Sequence, residues 1–151
     1  AMTGHPIRPF ADDAAVRHLG NALLARSLPK AEWTHEAHLA ACLWLVRERT
    51  DFLPETDLQD VICSYNVAVG GQNTDSEGYH ATLTRLCVRG VRAFAAKLPE
   101  GTALVDAVNA LLASEIGDRQ WPLRFYSRER LFSVAARRGW VEPDLAEVHA
   151  G

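Results

Sequence analysis

The sequence predicts an all-α fold, a four- to five-helix up-down bundle with a C-terminal extended and short-helix wrap. Three observations predict it. Apolar residues recur at three- and four-residue spacing through most of the chain, the period of an amphipathic helix. Capping and stop residues bracket those stretches. No convincing period-two strand interrupts them. The 151 residues fit a single domain, with the core bundle over about 12–116 and the wrap over about 117–148.

The elements follow in order. Asp12 or Asp13 caps a first helix whose inner stripe holds Val16, Leu19, Leu23 and Leu24, and Pro29 ends it soon after Leu28. Thr34 caps a second helix running to about 50. Its centre, residues 39–46, is apolar all round, as expected of a central buried helix. A third runs over about 55–69 on Leu58, Val61, Ile62, Tyr65 and Val69, and Gly70-Gly71 stop it. Thr74 with Glu77 matches a capping box, so a fourth helix is expected over about 76–98. A fifth, over 102–116, carries Leu104, Val108, Leu111 and Leu112. Residues 121–126 read as extended, Ser127 as the cap of a short helix over 128–136, and 139–145 as an irregular tail with large apolar residues. Such a tail should pack on the bundle. Trp33, Trp44, Trp121 and Trp140 read as core and tail anchors.

Composition narrows the function classes. The chain is 48% hydrophobic and 23% charged, ordinary for a globular domain that buries its own core without staples. A net charge of -3 supplies no electrostatic footprint for nucleic acid or an anionic membrane, so neither is expected as a partner. No apolar run is long enough to span a membrane, and the start lacks a signal peptide's apolar core. Ala1-Met2 reads as a tag-cleavage remnant. Cys42, Cys63 and Cys87 form no CxxC pair and are odd in number, which argues against a disulfide framework or a thiolate zinc cluster. Buried reduced thiols and a cytoplasmic location are expected.

The chemistry concentrates in histidine. His5 and His149 lie near the ends, and His18 sits in a charge-rich helix. His35 and His38, in the stretch WTHEAHL, are three apart and share a helix face, with Cβ atoms about 5–6 Å apart. Cys42 and Leu45 continue that face inward. His80 precedes Cys87 by seven and Val91 by eleven, so it lies near the buried stripe of the fourth helix. In an up-down bundle the second and fourth helices run parallel, and their beginnings lie at one end. That topology would bring His35, His38 and His80 to one pocket. Three imidazoles with an open position suit a divalent transition metal: zinc, nickel, iron or copper. The motif is not the zincin HExxH, and Glu36 points about 100° away from His35 around the helix, so Glu36 is no general base.

The bundle with three histidines from neighbouring helices resembles the DinB/YfiT-like superfamily. Members of that family often hold a metal through three histidines near one end of a four-helix bundle. The resemblance implies a metal-dependent transferase or hydrolase, and it carries over the three candidate ligands alone. The order differs here, because the family pairs its histidines as HxxxH after an earlier lone one, and this chain begins with HxxH.

Around the histidines, Asp75 or Glu77 could orient an imidazole, although the capping box alone explains both residues. Tyr65 and Asn66 fall near the same pole. Tyr126, Arg128 and Arg130 would belong to a lid, where arginine suits a substrate carboxylate or phosphate. Tyr65, Tyr126 and Arg128 are therefore the catalytic candidates. The leading expectation is a small metalloprotein acting on a small-molecule substrate, its metal a Lewis acid. The alternative is a non-catalytic helical module that binds a small apolar ligand or a protein partner, with structural histidines. The sequence leaves open whether the tail wraps its own subunit or a neighbour's in a homodimer.

Overall fold

The computed structural model describes residues 7–148. Ala1, Met2, His5 and His149 lie outside them. The described residues form an all-α bundle of seven helices without a strand: α1 (Asp13–Leu24), α2 (His35–Glu48), α3 (Pro54–Ala68), α4 (Ala81–Ala96), α5 (Leu104–Ala113), α6 (Arg128–Leu131) and α7 (Val134–Arg138). Short 3-10 turns at Glu115–Gly117 and Trp121–Arg124 link α5 to the last two helices. No helix among the described residues is long and apolar enough to cross a membrane.

α2 is the hub. It packs on α1, α3, α4 and α5. Every residue from Leu39 to Leu45 is buried, so the all-round apolar run becomes a central rod. Asp12 Oδ1 accepts from Ala15 N at 2.8 Å and starts α1, and Thr34 Oγ1 accepts from Ala37 N at 3.1 Å and starts α2. α1 closes onto α2 at a glycine: a Cβ on Gly20 would lie 2.6 Å from Trp44 Cζ3 and 2.7 Å from Cδ2. Only hydrogen fits there.

The start of α4 departs from expectation. The helix begins at Ala81, not near 76, and its cap is His80. Thr74 still closes a turn, accepting from Ser76 N and Glu77 N at 3.2 Å each, but no helix follows. Gly78 has φ +83°, the left-handed region that helices do not enter, so the chain reverses there before α4 starts.

The wrap is more helical than the sequence suggests. Trp121–Arg124 is a 3-10 turn rather than extended, because Trp121 N and Tyr126 N find carbonyls at Asp118 and Pro122. The short helix splits into α6 and α7, since Ser133 accepts from Ala136 N at 3.1 Å and restarts it. α7 packs on α4. Thr82 Oγ1 donates to Gly139 O at 2.9 Å, and Leu145 N reaches Phe125 O at 2.9 Å, so the irregular tail is stitched to the bundle of its own chain.

Candidate functional site: a cavity between α2 and α4

A cavity of about 400 Å³ opens between α2, α4 and the 115–122 segment, with Leu23 of α1 and Leu58 and Ile62 of α3 closing its floor. Most of its wall is aliphatic and aromatic. The polar groups are few: His35, His38, Thr84, Asp118, Arg119 and the indole of Trp121, beside the thiols of Cys42 and Cys87. This size and lining fall in the range of small-molecule sites, roughly 300–1,000 Å³.

His35 and His38 both line the cavity, one turn apart on α2. His35 Nε2 lies 2.7 Å from Gly117 O, and His38 Nδ1 lies 2.6 Å from Thr34 O. A carbonyl oxygen only accepts, so each of these nitrogens carries its hydrogen. In the neutral rings the lone pairs are then on His35 Nδ1 and His38 Nε2. The exposed His38 ring stacks on Trp33 with centroids 3.8 Å apart. Protein crowds the rest of it, and the loss of hydration pulls its pKa down to about 4. His38 is therefore neutral at physiological pH, an acceptor at the cavity wall.

His80 does not join them. It is absent from the cavity lining. Its Nε2 donates to Leu131 O at 2.8 Å, and its Nδ1 accepts from Leu83 N at 3.1 Å. Both nitrogens are used, which leaves none for a metal. Burial holds its pKa below the ordinary histidine value, so the ring stays a neutral clasp between α4 and α6. Among the described residues no group of three or more His, Cys, Asp or Glu side chains is arranged to hold a metal ion. The expected convergence of His35, His38 and His80 is thus not the arrangement seen. His80 lies on the sequence stripe that leads inward, but its own ring is consumed in starting the helix.

The other candidates also lie elsewhere. Tyr65 is fully buried, and its hydroxyl donates to Leu28 O at 2.9 Å. Tyr126 is fully buried as well and donates to Val141 O at 2.7 Å, with burial lifting its pKa to about 12. Arg128 is exposed, and its guanidinium reaches Gln120 Oε1 at 3.4 Å. None of the three lines the cavity. Asn66 donates to Asn73 Oδ1 at 3.0 Å, and Asp75 takes Arg138 bidentately at 2.7 Å rather than orienting an imidazole.

Sequence reasoning named neither Trp121 nor Arg119 as a site residue, and both line the cavity. Trp121 is buried against α4, where a Cβ on Gly90 would come within 2.8 Å of its Cη2. Phe125 meets it edge to face at 5.1 Å. Arg119 lines the mouth and lies 3.9 Å from Glu36 Oε1, a buried carboxylate that also accepts from Arg8 N at 3.2 Å. Cys42 of α2 and Cys87 of α4 both line the cavity, and the neighbouring Cys87 thiol, together with burial, raises the Cys42 pKa well above its ordinary value. All three cysteines are free, with Cys42 buried. The repeated apolar stripes signalled the thiols, but nothing periodic signalled Trp121 or Arg119.

No protein-family model, no curated protein and no solved structure matches this chain.

Proposed function

We propose that the cavity binds a small, largely apolar molecule. The observation that carries this reading is the 400 Å³ space lined by Leu23, Leu39, Leu58, Ile62, Leu86 and Ile116, with a handful of polar groups at its wall. Apolar walls supply affinity and sparse polar groups supply orientation. Neutral His38 offers an acceptor to a ligand N–H or O–H, and the Trp121 indole offers a donor. The test is a cavity-filling substitution. Ala41 is buried in the wall, and Ala41→Leu adds a side chain into the space. Ethylbenzene at millimolar concentration should raise the melting temperature of the wild type, as any ligand selective for the native state does. The variant should gain little. An equal gain in both proteins would place the binding elsewhere.

A second reading has one observation in its favour. His35 and His38 each pin one ring N–H to a backbone carbonyl, which is how metal-ligating histidines are oriented. A divalent transition metal, zinc, nickel, iron or copper, would use the two remaining nitrogens and take its other ligands from solvent or the bound molecule. That makes a two-histidine site in place of the three-histidine one, and zinc titration tests it.

A further inference from the structure

Two buried side-chain polar atoms among the described residues lack a hydrogen-bond partner, Glu36 Oε1 and Trp121 Nε1. They differ in kind. Glu36 Oε1 has the Arg119 guanidinium nearby, so its charge is compensated. Trp121 Nε1–H has nothing. Burying a donor without a partner is costly, and native proteins rarely do it.

Packing, not hydrogen bonding, sets this ring. Its benzo edge rests on Gly90 of α4, and Phe125 holds it from the side. Trp121 is 2% exposed, so bulk water does not satisfy the nitrogen. The same residue lines the cavity. An indole N–H can only donate. Its missing partner is therefore an acceptor, and the cavity is where one could enter.

The charges at the cavity point the same way on ligand type. Arg119 and Asp118 both line it, one of each sign, and no further charged group does. A charged group buried against these largely aliphatic and aromatic walls would be expensive to desolvate. We infer that the occupant is a neutral molecule with an apolar body and one hydrogen-bond acceptor (a carbonyl, an ether or an aromatic nitrogen) held by Trp121 Nε1–H. This rests on the reading of the cavity as a small-molecule site.

The experiment compares acetophenone with ethylbenzene, near-isosteres that differ by the carbonyl, and adds benzoate as the charged counterpart. Calorimetry gives their affinities for the wild type and for Trp121→Phe, with circular dichroism to confirm that the variant folds. The preference for acetophenone over ethylbenzene should fall about tenfold in Trp121→Phe, the worth of one neutral hydrogen bond. Benzoate should bind more weakly than acetophenone. An unchanged preference, or tighter benzoate, overturns the inference while leaving the cavity reading intact. Failure of every probe to bind the wild type overturns both. If Trp121→Phe does not fold, the wild-type indole N–H resonances decide, assigned through Trp33→Phe, Trp44→Phe and Trp140→Phe. The Trp121 signal should move downfield with acetophenone and not with ethylbenzene, and equal movement refutes the hydrogen bond.

Discussion

Two glycines in helix interiors make a sharp paired prediction. Gly20 of α1 lies under Trp44, and Gly90 of α4 lies under Trp121. Replacing either by alanine should gain about 1 kcal/mol of helix propensity. Against that stands overpacking, typically about 1–3 kcal/mol. The two sites differ in what the tryptophan can do next. A Cβ at 20 would crowd three atoms of Trp44, two of them at 2.6 and 2.7 Å, and Trp44 is 3% exposed in a filled core away from the cavity. A Cβ at 90 would press on one Trp121 atom at 2.8 Å, with the next at 3.3 Å, and Trp121 borders empty space. Trp121 can yield by a few tenths of an ångström, and Trp44 cannot. The expected net costs are about 2 kcal/mol for Gly20→Ala and about 0–1 kcal/mol for Gly90→Ala. In a chain of this size that is a fall of about 4–8 °C against little change. Urea unfolding followed by circular dichroism measures both. Gly90→Ala should also weaken ethylbenzene binding, because the displaced indole intrudes on the cavity. The reasoning fails if Gly90→Ala costs more than Gly20→Ala, since the cavity would then offer Trp121 no room.

Three further outcomes are expected. His38 has a folded pKa of about 4, below the unfolded value of about 6.5. Between those values the unfolded chain binds more protons, so stability should be intact above pH 6.5 and decline as pH falls toward 4. The ring keeps an exposed edge, so solvent screening limits the loss to about 1 kcal/mol; in His38→Gln the pH 4–6.5 slope of unfolding free energy should shrink, and an unaltered slope contradicts the assignment. His80→Ala removes both the α4 cap and the bond to Leu131 O and should cost about 2–3 kcal/mol, whereas His80→Asn keeps a good cap and should recover about 1 kcal/mol of it in the same urea assay; equal losses would mean that the cap contributes nothing. If zinc binds, calorimetric titration should show the affinity abolished in His35→Ala/His38→Ala and kept in His80→Asn; loss in His80→Asn would restore the three-histidine site.

Much of the bundle is written in local pattern. The Leu39–Leu45 run could only be a central helix, and Asp12 and Thr34 are caps of the preferred type. The start of α4 was illegible for a physical reason. Histidine is not a favoured cap, so a ring nitrogen accepting from Leu83 N leaves no sequence signal, while Thr74 and Glu77 advertise a helix that Gly78 forbids. The same misreading moved His80 into the candidate site. His35 and His38 were legible as a pair on one face, but the hydrogen bonds that fix their tautomers run to Gly117 and Thr34 carbonyls, which no spacing encodes. The cavity itself is a tertiary product. It exists because the 115–124 turns stand off from α2 and α4 with Trp121 wedged at Gly90, a long-range contact that periodicity cannot report.

The most direct test of the cavity as a small-molecule site is to map amide shifts in ¹H–¹⁵N spectra as ethylbenzene is titrated into the wild-type protein. The account predicts saturable shifts centred on His38, Cys42, Leu86, Cys87 and Trp121. Shifts centred instead on the exposed Phe132 and Val134, or no saturable shifts at all, would contradict it.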